Sequence, residues 1–189
     1  MSNPSLKELQ RYFFMLNKYL LYVFFPLAIL SCRKPPNYSD TPEIKYESIS
    51  KLLIFDETLL GYIDSVSITV SFKDGDGNLG LDNSDIEGSE IYVDEYIFNY
   101  YIDVYKKEND TWEFVDFEAI GESYFHSRFP RLLPEGASPI DGDLNLGLIL
   151  TPSSLLQATD SIRFEIDIVD RDLNRSNKIT TDAIIFGTP

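Results

Sequence analysis

Several short segments alternate apolar and polar residues with a period of two, which is typical of strands buried on one face. The alternation is regular over residues 66–72 (VSITVSF) and residues 162–168 (IRFEIDI), and both segments are rich in β-branched residues. Residues 144–150 (LNLGLIL) alternate in the same way. A further strand is predicted within residues 44–54, and the apolar-rich residues 179–186 predict a closing strand.

Residues 96–105 and 112–117 predict a β-hairpin, because two apolar-rich segments flank the polar turn sequence KEND. No segment between these strands carries a convincing helical period. About seven short strands separated by Gly, Asp, Asn and Pro predict an all-β fold. We expect an antiparallel two-sheet immunoglobulin-like sandwich over residues 44–189, in preference to a barrel.

The N-terminal segment has a different pattern. Basic residues precede an uncharged run of twelve residues (19–30, YLLYVFFPLAIL), which is followed by Ser31 and the only cysteine, Cys32. The run is short for a hydrocarbon core of about 30 Å, but it fits the roughly 7–15 residues of a signal-peptide apolar region. We therefore predict that residues 1–31 are a cleaved signal peptide.

Residues 27–32 (LAILSC) resemble the lipobox of bacterial lipoproteins. In that family an aliphatic residue stands three positions before an obligatory cysteine, and a small residue directly precedes the cysteine. Ile29 and Ser31 fill these places, whereas Leu30 departs from the pattern. The resemblance implies that Cys32 becomes the lipidated N-terminus and that residues 32–43 tether the domain to a membrane. The alternative is an incidental cysteine in an uncleaved signal anchor.

Charge limits the partners that the domain can take. The 189 residues include 16 Lys and Arg against 31 Asp and Glu, which gives a formal net charge of −15. Such a surface repels nucleic acid, so we expect no nucleic-acid partner. Cations are the more natural small ligands, and a single cysteine excludes an intrachain disulfide.

The sequence FKDGDGNLGLD at residues 72–82 raises the question of a calcium site, because calcium takes six to eight oxygen ligands in protein loops. Its spacing is similar to that of the EF-hand loop. The side chains or carbonyls at ligand positions are those of Asp74, Asp76, Asn78, Gly80, Asp82 and Asp85. Leu79 stands where that family has Gly, and Asp85 is shorter than its closing Glu. The alternative is a plain turn, since turns select the same residue types.

Two further acidic stretches are weaker metal candidates. They are DGDLN at residues 141–145 and DRDLN at residues 170–174, with the candidate ligands Asp141, Asp143, Asp170, Asp172 and Asn174. The strands between them place both stretches at one pole of a sandwich. The Asp74 loop joins them there only if residues 123–129 are not an independent strand.

Function is less well indicated. The only histidine, His126, is a poor candidate for a general base, and no carboxylate pair for glycoside hydrolysis is singled out, so we do not expect an enzyme. Tyr101, Tyr105 and Trp112 are candidates for an aromatic platform that binds a glycan or an envelope protein. Alternatively, they fill the faces of the sandwich. A structural accessory subunit of an envelope complex would show a broader apolar patch.

The lipobox, the sequence DGDGNLGL and the late turn VDRDLNRSN together resemble small Bacteroidetes lipoproteins that consist of one immunoglobulin-like domain of unknown function. Leu173 stands where their late turn commonly has Gly. The resemblance implies an outer-membrane lipoprotein and a fold, and it implies no activity. It leaves open whether the domain faces the periplasm or the cell surface.

Overall fold

The structure is a computed structural model that describes residues 10–15, 36–121, 125–133 and 138–189. Residues 10–15 are helical, whereas the other residues of the predicted signal peptide and the predicted lipidation site Cys32 lie outside the described residues. Residues 37–189 form one compact unit and residues 1–36 another. Within the described ranges, no helix is long and apolar enough to cross a membrane.

Residues 37–189 are built from two antiparallel sheets. The strands in chain order are β1 (Glu43–Asp56), β2 (Gly61–Asp74), β3 (Tyr100–Glu108), β4 (Thr111–Phe114), β5 (Ile140–Leu150), β6 (Ser161–Ile168), β7 (Ile179–Thr180) and β8 (Ile184–Ile185). The first sheet has the order β1-β2-β5, and the second has the order β4-β3-β6-β7, with β8 also paired to β6. The predicted all-β, two-sheet architecture is therefore confirmed.

The core lies between the sheets, where the alternating faces of β2 and β6 meet. The inward residues of these two strands are Val66, Ile68, Val70, Phe72, Ile162, Phe164, Ile166 and Ile168, and all are buried. Fully burying one such side chain contributes about 1.5–3 kcal/mol. The period-two pattern thus locates the core-facing positions because every second side chain of a strand points to the same side.

Two strand predictions differ from the structure in detail. Residues Asp94–Ile97 form a 3-10 helix, so β3 begins only at Tyr100, and the hairpin turn consists of Asn109 and Asp110 with φ of 47° and 67°. Two positive φ values suit the twist of a tight hairpin. The predicted strand 179–186 is split into β7 and β8, because Thr181 between them bonds Phe164 through both its backbone and its hydroxyl.

The strand directions bring four strand ends to one pole of the sandwich, which we call the acidic pole. Asp74 at the end of β2 is paired with Ile140 at the start of β5, and Ile168 at the end of β6 is paired with Tyr100 at the start of β3. In the described residues 125–129 the only pairing is an isolated bridge between Ser127 and Tyr100. These residues are therefore not an independent strand, which is the condition for the Asp74 loop to lie at the same pole as the other acidic loops.

Single-turn helices complete the described part of the domain at Asn83–Ile86 and Glu118–Ile120. The first contains Asp85 and has Asp82 as its N-cap, so two of the predicted calcium ligands belong to this helix.

Candidate metal centre

Three carboxylates from two different loops meet at the acidic pole. One oxygen each of Asp74, Asp76 and Asp170 lies within 4.8 Å of the others. Asp74 is the last residue of β2 in the first sheet, whereas Asp170 follows β6 in the second sheet. Asp74 and Asp170 are fully buried, and Asp76 is half-buried. The cluster therefore spans the interface between the sheets.

Asp74 is the most unusual member of this cluster. It is 0% exposed, and neither of its carboxylate oxygens has a hydrogen-bond partner. Burial, followed by the charges of Asp76 and Asp170, raises the pKa of Asp74 to about 6. The backbone N–H groups of Asn78 and Gly77 oppose this rise without reaching hydrogen-bond geometry. A buried carboxylate without partners is costly, so the site favours a bound cation or a proton.

Asn78 contributes a second unsatisfied acceptor to the site. Its Nδ2 donates to Asp76 Oδ2 (3.0 Å) and to Asp172 Oδ2 (2.9 Å), and its backbone N–H donates to Asp76 Oδ1 (3.2 Å). Its Oδ1 is buried and has no hydrogen-bond partner. The amide side chain thus lies between two carboxylates and presents an oxygen that a hard cation would accept as a ligand.

Asp170 is held in place by its own loop. Its two carboxylate oxygens accept the backbone N–H of Asn174 (2.7 Å) and Asn174 Nδ2 (2.9 Å). Burial raises the pKa of Asp170, the charge of Asp76 adds to this effect, and the hydrogen bonds from Asn174 oppose it. Asn174 is a weaker ligand candidate in the sequence. In the structure it orients Asp170, and the NH2 group of Asn174 points toward the Asp170 carboxylate.

The glycines of the Asp74 loop have a packing role. Gly77 has φ of 71°, and a Cβ there would lie 2.5 Å from the Ser138 carbonyl oxygen. Gly80 has φ of 95°, and a Cβ there would lie 2.2 Å from the Pro130 carbonyl oxygen. Only glycine fits such positions. The carbonyl of Gly80, predicted as a calcium ligand, instead accepts a hydrogen bond from Arg171 Nη1 (3.2 Å).

Asp82 and Asp85, the last two predicted ligands of the loop, both contact Arg131. Asp85 accepts Arg131 Nε (2.9 Å) and Nη2, as well as the backbone N–H of Asp82 (2.8 Å). Asp82 Oδ1 accepts the backbone N–H of Arg131 (3.2 Å). The hydrogen bond from Arg131 holds the pKa of Asp85 below its usual value.

A backbone contact explains why the EF-hand-like spacing ends after Asn78. The N–H of Leu81 donates to the carbonyl of Phe129 (3.1 Å), and the N–H of Leu132 donates to the carbonyl of Leu79 (3.2 Å). These bonds tie residues 79–81 to the connection before β5. Only Asp74, Asp76 and Asn78 of the predicted ligand set are brought together.

Asp141 and Asp143 also lie at the acidic pole, but they point away from the cluster. Asp141 is opposite Lys73 and Asp143 is opposite Ser71 in the pairing of β5 with β2. These are the outward positions of the sheet, because Asp74 and Phe72 are the inward ones. Asp141 accepts a hydrogen bond from the hydroxyl of Tyr38 (3.1 Å).

The predicted aromatic platform shares one sheet face, as the pairing of Tyr105 with Arg163 and of Lys107 with Trp112 shows. Tyr101 on the same face is buried, and the Arg175 guanidinium carbon lies 4.3 Å from its ring centroid. The guanidinium carbon of Arg163 lies 5.6 Å from the ring centroid of Tyr105 and 4.6 Å from that of Trp112. Arginines thus lie over the rings, and the three aromatics do not form one bare surface.

His126 is used by the fold. Its Nδ1 accepts the backbone N–H of Ile102 (3.1 Å), and its ring lies against that of Tyr101, with 5.1 Å between the centroids. This bond helps to attach the connection before β5 to the second sheet.

Sequence reasoning missed an exposed apolar surface on the β1-β2 hairpin and the neighbouring end of β5, which we call the apolar arm. It consists of Leu52, Ile54, Phe55, Leu59, Leu60, Tyr62 and Ile149, which are between 38% and 79% exposed. The signal was present in the sequence LLIFDETLLGY at residues 52–62, where apolar residues follow one another without alternation. A strand with this pattern is apolar on both faces.

Comparisons of the chain with protein families, with curated proteins and with solved structures found no match.

Proposed function

We propose that this protein is a lipid-anchored, non-catalytic binding protein of the outer membrane, whose β-sandwich carries a structural calcium ion at Asp74, Asp76 and Asp170. The observation that carries the calcium assignment is the fully buried Asp74 carboxylate with two unpartnered oxygens. The lipobox at residues 27–32 supports the lipid anchor.

We further propose that the sandwich is immunoglobulin-like. Three connections pass from one sheet to the other, namely those from β2 to β3, from β4 to β5 and from β5 to β6. Such crossings between antiparallel sheets are typical of Greek-key sandwiches. The orders β1-β2-β5 and β4-β3-β6-β7 are consistent with this topology.

An ion at this site would stabilise the fold by joining the two sheets. Asp74 would hold it from the end of β2 and Asp170 from the loop after β6, while Asp76 and the Oδ1 of Asn78 would supply further oxygens. An oxygen-only donor set suits calcium or magnesium. Calcium fits better, because it accepts irregular ligand geometry whereas magnesium requires near-ideal octahedral geometry.

The apolar arm favours one form of binding over another. An accessory subunit of an envelope complex should expose a broad apolar patch, whereas a glycan binder should expose a cluster of aromatic rings. The apolar arm is a broad exposed apolar patch. The rings of Tyr105 and Trp112 lie under an arginine and do not form an exposed aromatic cluster. A role in an envelope assembly is therefore the second candidate function, ahead of glycan binding.

Calcium binding is tested by calorimetric titration of a soluble chain that begins at residue 33 and contains the whole compact unit. We expect one calcium per chain with a Kd of about 10⁻⁵–10⁻³ M, between the weakest calcium sensors and the extracellular modules. Asp170→Asn should weaken binding by about tenfold or more, because it removes a charged ligand. Asp141→Asn is the matched control and should bind as the wild type does.

Two results would contradict the calcium assignment. One is the absence of calcium binding up to about 10 mM, well above the weakest extracellular sites. The other is an equal loss in Asp170→Asn and Asp141→Asn, which would indicate that the acidic surface attracts cations without a defined site.

Lipid anchoring is tested on the full chain in a bacterial host that processes lipoproteins. Cys32→Ala should eliminate fatty-acid labelling and release the domain from the outer-membrane fraction, because a lipidated N-terminal cysteine is the attachment point. Ser31→Ala is the matched control, since it keeps a small residue before the cysteine and should be labelled normally. Labelling that persists in Cys32→Ala would refute the lipobox assignment.

A further inference from the structure

The apolar arm lies on a strand with one open edge. β1 is an edge strand of its sheet. Its first half contacts the C-terminal segment through Ile44 and Lys51. Ile44 exchanges both of its backbone groups with the side chain of Asn177 (2.9 Å each), and Lys51 donates to the carbonyl of Thr188. In the described part of the chain, no strand pairs with the outer edge of β1 beyond Lys51.

An open edge with apolar side chains on both faces is a template for adding another strand. In the pairing of β1 with β2, Leu52 and Ile54 belong to the outward face of the sheet, and Phe55 belongs to the other face. The rings of Phe55 and Tyr62 contact each other at a centroid distance of 5.3 Å. A strand added along residues 52–56 would therefore find apolar contacts on both sides of the sheet.

We infer that the arm is a homodimer interface, in which residues 52–56 of two copies pair as antiparallel strands and join two three-stranded sheets into one. Antiparallel pairing of a segment with itself is two-fold symmetric, so the same surface serves both copies. The symmetry axis passes near Ile54, the central residue of the open edge. This inference goes beyond the proposed function and does not require bound calcium.

The size of the arm agrees with this role. Its seven residues are 38–79% exposed, which over both faces of the sheet amounts to a total on the order of 800 Å², similar to what each partner contributes to a standard-size interface. The largest apolar patch of a typical monomer is about 300–600 Å². The arm thus has the area that a specific dimer needs.

The net charge of −15 opposes self-association, but the acidic residues nearest the open edge are kept apart. In a pairing centred on Ile54, Asp56 lies opposite Leu52 of the second copy, so the two Asp56 residues are about 14 Å apart. That distance exceeds the Debye length of about 8 Å at physiological salt. Added salt should therefore strengthen the dimer, because it screens the long-range repulsion and leaves the apolar contact intact.

The pairing is compatible with two lipid anchors in one membrane. Glu43, where β1 begins, is eleven residues from Ile54, which corresponds to about 36 Å of strand. The two tethers would leave from opposite ends of the paired strands. With the symmetry axis perpendicular to the membrane, both tethers reach the same surface.

Sedimentation velocity on the soluble chain from residue 33 tests the inference, at about 1–200 µM protein, which covers weak and moderate dimers. We expect a monomer–dimer equilibrium with a Kd below about 50 µM that tightens between about 0.05 and 0.5 M NaCl. Ile54→Glu should raise the Kd by about tenfold or more, because it places two buried charges at the axis. Ile91→Glu changes an isoleucine that is 57% exposed outside the arm, and it should have no effect.

A cross-link provides a second test. The soluble chain has no cysteine, so Ile54→Cys introduces a single thiol near the axis, and mild oxidation should give a disulfide-linked dimer. Ile91→Cys is the control and should remain monomeric. A chain that stays monomeric at the highest concentration and does not cross-link overturns the inference. If that chain instead co-sediments with phosphatidylcholine vesicles through the arm, the occupant is lipid and the dimer is again excluded.

Discussion

Asp74→Asn should stabilise the calcium-free protein and at the same time eliminate its response to calcium. Asn has nearly the shape of Asp but carries no charge, so it removes a buried carboxylate whose two oxygens lack partners. The raised pKa of about 6, against a usual value of 3.8, corresponds to a penalty of about 3 kcal/mol for the ionised form. For a domain of this size, 1 kcal/mol shifts Tm by about 2–4 °C.

The order of stabilities should reverse in calcium. Calcium at about a hundred times its Kd adds about 2.7 kcal/mol to the wild type, a rise in Tm of roughly 5–10 °C. Asp74→Asn loses a charged ligand and should show little of this rise. Thermal melts of both chains in chelator and in calcium, with Asp143→Asn as an outward-facing control, measure all four stabilities. A wild type with equal Tm in chelator and in calcium would refute the calcium site. If calcium-free Asp74→Asn is less stable than the calcium-free wild type, the Asp74 charge does not destabilise the fold.

The same carboxylate predicts the pH dependence of the calcium-free protein. Because the pKa of Asp74 is raised in the folded state to about 6, the folded protein holds a proton that the unfolded chain has already released. The free energy of unfolding should therefore fall as the pH rises from about 4 to 6 and level off above that window. Asp74→Asn should lack this component. With calcium bound the trend reverses, since protons compete with the ion below about pH 6.

Lys51→Met should cause the largest loss of stability among the described ion pairs. Lys51 Nζ lies 3.5 Å from Asp64 Oδ1, and both side chains are almost completely buried. Asp64 Oδ2 also accepts the backbone N–H of Gly187 (2.7 Å), so the pair holds the C-terminal segment against the first sheet. Removing one partner of a buried pair leaves an uncompensated charge, at a cost of about 3–5 kcal/mol.

A double variant distinguishes the cost of the lone charge from the loss of packing. Lys51→Met combined with Asp64→Leu should recover much of the lost stability, because two apolar side chains of similar size leave no charge buried. Urea denaturation gives the free energy of unfolding for each chain. Lys45→Met, which breaks an exposed pair with Glu47 at 3.4 Å, is the control and should cost less than about 1 kcal/mol. A loss in Lys51→Met no greater than this would refute the role of the buried pair.

The sequence by itself determined the positions of most strands and, for β2 and β6, the face that is buried. Alternation over residues 66–72 and 162–168 identified the core positions of β2 and β6 because the period of a strand is two residues. The sequence also singled out Asp74, Asp76 and Asn78 by their alternate spacing, and a local spacing suffices when the ligands lie on one loop.

Only the tertiary structure decided which carboxylates meet. Asp170 is 94 residues after Asp76 and reaches it because β2 and β6 end at the same pole, whereas Asp85 is only nine residues after Asp76 and is bound to Arg131. Long-range strand pairing brings the first pair together, and the hydrogen bonds of residues 79–81 carry Asp85 away. The apolar arm has the same origin, since the β1-β2 hairpin extends beyond Asp64, where the pairing of β2 with β5 ends. Patterns in the sequence specify local geometry, and the meeting of distant loops depends on how the sheets pack.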